Sequence, residues 1–234
     1  MAFSRLFTGL SLLLLAVFSS AAPSGLSARA TTQPILFEVT LTWEDYDAIG
    51  GPSRKVILTN GTVPGPPLKA TVGDDIEFLV HNNLPNSTTI HFHGIEQKGS
   101  PWSDGVPGLS QKVIQPGTSY LYKWTATESG VYFYHAHYRS QIMDGLYGAI
   151  IIQASENADK PFALISNTST DIAAMEAADN DLQPIFVSDW NRYTSQEFYD
   201  IQVAGNIDDA CADAIVVNAM VRPTPPRAAS GARS

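Results

Sequence analysis

Four of the five histidines in this 234-residue chain fall into two His-x-His pairs. His91 and His93 lie in "TIHFHGIEQKGSPWSDG", and His135 and His137 in "GVYFYHAHYRSQ". Both stretches read as strands, in which residues i and i+2 point to the same face. His91 and His93 therefore share a face opposite Ile90, Phe92 and Gly94. His135 and His137 share one opposite Tyr134, Ala136 and Tyr138. Two neighbouring strands built this way can offer four ring nitrogens to a common point. Neutral imidazole is a ligand for copper, zinc, iron or nickel. No thiolate stands nearby in sequence, and no oxygen-rich cluster of the kind that hard cations need. Random placement of five histidines gives even one such pair less than roughly one time in ten, so the spacing points to a metal. His81 has no companion and reads as a structural or surface residue.

The elements that must position these pairs are strands. From Gln33 to about Gln153 the segments "LFEVTLTW", "KVILT", "IEFLVHN", "TIHFHGI", "SYLYKWTA", "VYFYHAHY" and "LYGAIIIQ" are short, rich in Val, Ile, Tyr and Phe, and often alternating. Turn-forming stretches such as "NGTVPGPP", "TVGDD", "NNLPNS" and "QPGTS" separate them. No segment there has a helical period, so the expectation is an all-β sandwich or barrel over residues 31–155. Residues 156–183 are polar and acidic and read as a linker with at most one helical turn. "LQPIFVSDW" and "ADAIVVN" then look like strands opening a second β domain over 184–218, expected to be incomplete. The last stretch, 219–234, "AMVRPTPPRAASGARS", has no period and little to bury, which predicts disorder.

Composition sets limits on function. The chain is 44% hydrophobic and 16% charged, with 17 glycines and 15 prolines. Its net charge of −9 repels nucleic acid and anionic membrane surfaces, and no basic stripe offsets it. Arg5 precedes the apolar run "LFTGLSLLLLAVF", too short to span a bilayer and followed by small residues; residues 1–30 read as a secretory signal peptide cleaved near Ala22 or Ala30. No later segment is apolar enough to span, so the expected product is secreted. Sequons at Asn60, Asn86 and Asn167 agree with export, although "NG" at Asn60 is also a preferred hairpin turn. Cys211 is the sole cysteine, which excludes an internal disulfide and leaves a buried free thiol or one that lacks its partner.

Three long stretches carry a resemblance: "NGTVPGPPLKATVGDDIEFLVHNNL", "TTIHFHGIEQKGSPWSDGVPGLSQKVIQPGTSYLYKW" and "GVYFYHAHYRSQIMDGLYGAIII". They resemble the N-terminal cupredoxin domain of the multicopper oxidases, the laccase and ascorbate oxidase family, and most closely its fungal ascorbate-oxidase-like branch. "SDW" at 188–190 is similar to the family's entry into its second domain. The resemblance implies a cupredoxin-like Greek-key β-sandwich and a copper cofactor. It implies that His91 ligates a type 2 copper and that His93, His135 and His137 ligate paired type 3 coppers, in a cluster that reduces dioxygen to water at the expense of a small reductant. It also implies that Asp104, in "WSDG", relays protons near that cluster; as residue chemistry alone, Asp104 is equally a turn residue before Gly105. Trp102 and Tyr134 read as packing.

The chain also departs from the family pattern. Lys112 stands where many laccases have a cysteine that bridges to their last domain. The family's four further cluster histidines and its type 1 copper motif, His-Cys-His, are not in this sequence, and Cys211 has no flanking histidine. The chain alone is thus expected to lack oxidase turnover. Three readings follow: part of a secreted multicopper oxidase, a short non-catalytic copper-binding protein, or a subunit that a partner chain completes.

Overall fold

The computed structural model describes residues 33–206 and 211–220. The expected signal peptide and all but the first two residues of the expected disordered tail lie outside the described residues. Eight strands form two four-stranded sheets. One holds β1 (Ile35–Tyr46), β2 (Arg54–Thr59), β4 (Asp75–Asn82) and β6 (Ser119–Thr125) in the order β2-β1-β4-β6. The other holds β3 (Gly65–Thr71), β5 (Ile90–His93), β7 (Gly130–Ala136) and β8 (Tyr147–Gln153) in the order β3-β8-β7-β5. β1 runs parallel to β4 and β3 parallel to β8, while the remaining pairs are antiparallel. The result is the expected sandwich, with open sheets rather than a closed barrel.

Alternation along the strands fills the space between the sheets. Ile76, Phe78 and Val80 of β4 and Tyr122 and Trp124 of β6 point inward from one side; Ile90 and Phe92 of β5 and Tyr134 and Ala136 of β7 point inward from the other. Phe78 meets Phe92 and Tyr134 with centroids 5.2 and 5.1 Å apart, and Phe92 meets Tyr122 at 5.2 Å. Each such ring or branched side chain, fully buried, contributes about 1.5–3 kcal/mol. Two buried phenols also tie backbones together. Tyr122 Oη accepts a hydrogen bond from Ile90 N (2.9 Å), and Tyr134 Oη donates to Pro66 O (2.9 Å). Burial pushes both phenols well above the usual tyrosine value. Gly148 makes room for Tyr134, because a Cβ there would sit 2.3 Å from its ring. Tyr134 is thus packed as expected, but Trp102 is 59% exposed and its reading as a packing residue does not hold.

β3 was hidden in a stretch that reads as turns. Pro66 and Pro67 cannot donate to a ladder, and the chain accommodates them by placing β3 at a sheet edge. Within residues 156–183, read as a linker, an α-helix forms over Ser169–Asn180 (α1), capped by Thr168 Oγ1 accepting from Asp171 N. None of its residues is buried, so it has no apolar stripe to betray it.

Further on, β9 (Val187–Trp190) and β10 (Ala214–Val217) make an antiparallel pair, and α2 (Ser195–Gly205) lies between them in sequence. This pair buries one face on the sandwich: Trp190 and Val216 join Ala48 and Val56, with Tyr46 and Leu58 packed alongside. Cys211 is exposed, which removes the buried-thiol reading. His81 sits at the surface between Ser119 Oγ and Glu38 Oε1, each 2.7 Å from a ring nitrogen. Among the described residues no helix is long and apolar enough to cross a membrane.

Candidate metal centre

β5 and β7 pair so that His91 lies directly opposite His135, Phe92 opposite Tyr134, and His93 opposite Phe133. Directly opposed side chains in such a pair have Cβ atoms about 5 Å apart. With Ile90, Phe92, Tyr134 and Ala136 committed to the core, the histidines are left on the outer face. β5 is also the edge of its sheet, so the face is open on one side. His137 lies one residue past the end of β7, where its N–H still donates to Thr89 O (3.2 Å); the expectation that both pairs lie wholly within strands is corrected by that residue.

The four rings gather in one patch. His91 is 5.6, 5.3 and 5.3 Å, centroid to centroid, from His93, His135 and His137. One potential ligand atom from each of His91, His93 and His135 lies within 4.8 Å of the others. His137 does not join that group, although its ring is near.

The hydrogen bonds around the rings decide which nitrogens are free. His91 Nδ1 lies 2.7 Å from Asp104 O, and His135 Nδ1 lies 2.9 Å from Ala136 O. A carbonyl oxygen only accepts, so Nδ1 carries the proton in both rings and each Nε2 keeps its lone pair for a ligand. His93 Nδ1 is 3.3 Å from His135 Nε2. With Nδ1 of His135 protonated, its Nε2 accepts this contact from His93 through the lone pair that a ligated ion would take instead. Phe133 stacks on both rings, at 4.8 Å from His93 and 4.9 Å from His135, fixing their planes. The same ring lines an apolar cleft of about 650 Å³ with Tyr147, Phe186, Trp190 and Phe198. Burial, reinforced by the neighbouring His91, His93 and His137, pushes the His135 imidazole below its usual value despite the Ala136 hydrogen bond. A neutral ring is the form that binds metal.

Asp104 reaches the site through its backbone first. The turn after the 3-10 segment Pro101–Ser103 brings Gly105 against β5, so close that a Cβ on Gly105 would lie 1.7 Å from Ile90 O. Only glycine permits that approach, at a φ of +80°. It delivers the Asp104 carbonyl to His91, with the carboxylate Oδ1 3.3 Å from the same Nδ1. Sequence reasoning picked out the Asp104 side chain and missed its carbonyl. It also missed Phe133, although an aromatic two residues before His135 must share its face.

An all-imidazole set with freed Nε2 lone pairs and no sulfur fits copper, and equally other divalent ions of the first transition series. The comparisons with known proteins narrow the choice. A family model described as Multicopper oxidase matches residues 40–157. The chain belongs to the multicopper oxidase family. It is 54% identical over 183 residues to Multicopper oxidase CTB12 of Cercospora beticola, covering 78% of this chain and 29% of that protein. It is 43% identical over 201 residues to Laccase abr2 of Aspergillus fumigatus, covering 86% of this chain and 34% of that protein. Among solved structures, a laccase from Botrytis aclada superposes with a TM-score of 0.64 at 30% identity, covering 82% of this chain and 33% of that one. The chain thus spans about a third of the length of these relatives. Copper is the metal the family implies.

Proposed function

We propose that this chain forms the dioxygen-side half of a copper centre in a secreted multicopper oxidase. The carrying observation is the convergence of ligand atoms of His91, His93 and His135 within 4.8 Å, with Nδ1 of His91 and His135 committed to carbonyl acceptors so that their Nε2 lone pairs face the site. His91 is assigned to a single type 2 copper. His93, His135 and His137 would hold a type 3 pair. Copper would supply one-electron redox chemistry there, by which four electrons from a phenol-, ascorbate- or metal-type reductant, with four protons, would reduce dioxygen to two waters.

The chain's own residues do the rest. Phe133 stacks against the faces of both His93 and His135 and holds their planes. The Asp104 carbonyl holds the His91 tautomer. The Asp104 carboxylate, 34% exposed and 3.3 Å from His91 Nδ1, lies between solvent and the site, where it can carry a proton inward. We assign residues 31–155 to the first cupredoxin domain, 156–183 to its linker and 184–218 to the beginning of the second. Export through a signal peptide within residues 1–30 and glycans on Asn86 and Asn167 complete the reading.

His93 and His137 are exposed, so the histidine face is open to further ligands. That favours completion of the centre by further histidines, from more of the same polypeptide or from a partner chain, over a self-sufficient copper buffer. The test is copper stoichiometry on the purified chain, with electron paramagnetic resonance and an oxygen-uptake assay on the same sample. Bound copper without oxygen uptake, lost in the His91→Ala/His93→Ala double variant, agrees with the proposal. Oxygen uptake by the chain alone, or no copper bound at micromolar concentration, refutes it.

A further inference from the structure

His137 stands apart from the other three histidines and is followed at once by an unusual turn. Arg139 and Ser140 have φ of +46° and +57°, two consecutive left-handed residues without a glycine between them. Such a conformation persists only where its surroundings hold it. The turn is closed locally by Gln141 N donating to Tyr138 O (3.1 Å) and Met143 N to Ser140 O (2.8 Å), and the loop beyond it is anchored to the body of the domain. Gln141, buried, donates from Nε2 to Ser87 O (3.0 Å). Arg54, reaching from β2, donates to Met143 O (2.7 Å) and lies 3.4 Å from the Asp144 carboxylate. Asp144 O accepts from Ile57 N (2.7 Å).

The Asp144 carboxylate is the meeting point. It is 3% exposed, and both its oxygens are taken by Ser195: Oδ1 accepts from Ser195 N (2.8 Å) and Oδ2 from Ser195 Oγ. Ser195 is the first residue of α2, whose cap, Thr194, forms a reciprocal box with Glu197. The carboxylate therefore sits where the helix's unpaired N–H groups and positive dipole end favour an anion. The Arg54 guanidinium closes the other side, stacked 4.1 Å above the Trp190 ring of β9. Both contacts come from the segment after residue 184, which contains no histidine.

We infer that Asp144 is a positioning residue: by joining the N-terminus of α2 to the loop behind His137, it lets the 187–206 segment set where that histidine points. With the link cut, the Arg139–Ser140 turn loses a restraint on its far side and relaxes, and His137 moves with it, while His91, His93 and His135 stay fixed by the strand register. The inference rests on the proposal above only in reading His137 as a metal ligand.

The test uses the full chain, metal-free, with labelled histidine, comparing Ser195→Ala, Asp144→Asn and Ser195→Thr with the parent by nuclear magnetic resonance. Ser195→Ala and Asp144→Asn are expected to shift the ring nitrogens of His137 and leave those of His81 unmoved, and Ser195→Thr, which keeps the hydroxyl, to restore the parent shifts. Copper(II) affinity, read by competition, is expected to fall about tenfold in the first two and recover in the third. Unchanged His137 signals in a cooperatively folded Ser195→Ala overturn the inference, as do equal shifts at His81, which mark a general loosening. If Asp144→Asn does not fold, Ser195→Ala, which keeps the carboxylate, decides alone. If the parent binds no copper(II), the functional proposal fails, while the ring signals still decide the positioning role.

Discussion

Gly105→Ala is the sharpest single perturbation of the metal face, because its effect can be worked from two distances. The new Cβ would lie 1.7 Å from Ile90 O and 2.4 Å from Ile90 C. The turn must retreat from β5 by more than about 1 Å before that contact is tolerable. The Asp104 carbonyl retreats with it, and its 2.7 Å contact with His91 Nδ1 then stretches past hydrogen-bonding range. A left-handed alanine costs about 1–2 kcal/mol, the displacement about 1–3 kcal/mol, and the lost hydrogen bond about 1 kcal/mol. The metal-free variant is expected to be less stable by about 4 kcal/mol in urea denaturation. Its copper(II) affinity is expected to fall about 10- to 100-fold, the range for losing the group that orients a ligating histidine. Asp104→Ala is the paired control. It keeps the carbonyl and removes the carboxylate, so its stability and metal affinity should stay near those of the parent. A Gly105→Ala chain with parental stability and affinity would refute the idea that this close approach holds His91. An Asp104→Ala chain as weak in copper as Gly105→Ala would move the role from the carbonyl to the carboxylate.

Other consequences are as direct. Tyr134→Phe leaves Pro66 O of the edge strand without its donor and should lower stability by about 1 kcal/mol; no loss in denaturation would show that water replaces the hydroxyl. His135 is held below its usual value by burial and by the neighbouring rings, so the unfolded chain takes up that proton first as pH falls below about 6.5. The metal-free fold should therefore lose stability from there downward, with stability rising as pH rises through the window. A pH series of urea melts in which His135→Gln keeps the full slope would contradict this. Asn60 has its amide engaged on β1, with Oδ1 accepting from Thr40 N (2.7 Å) and Nδ2 donating to Glu38 O (2.9 Å). Glycopeptide mass spectrometry of chain secreted from a eukaryotic host should find glycans at Asn86 and Asn167 but not at Asn60, and full occupancy of Asn60 would show that those bonds form after modification or not at all.

The histidine pairs were legible because their rule is local. A period of two puts His91 with His93, and His135 with His137, on common faces whatever the rest of the chain does, and the alternating Ile90, Phe92, Tyr134 and Ala136 say which face is the core. The long apolar run at 146–153 likewise announces a strand buried on both sides, as β8 is. The cap Thr194 with Glu197 three residues on was readable as a helix start and was passed over. α1 offered no such handle, since an entirely unburied helix carries no apolar period, and β3 was masked by prolines that only an edge position excuses.

What only the folded chain decided is contact between distant segments. The register that sets His91 against His135 is a property of two strands some forty residues apart, and no local pattern states it. The same holds for the Asp104 carbonyl at His91, which depends on how closely Gly105 can approach Ile90, and for the meeting of Asp144 with Ser195 across 51 residues. Residue types determine which side chains could bind a metal, because ligand chemistry belongs to the side chain. Which nitrogen of a ring is free to bind is set by where the opposite nitrogen places its proton: His135 uses the carbonyl of its own neighbour, Ala136, but His91 depends on the Asp104 carbonyl that the fold brings to it.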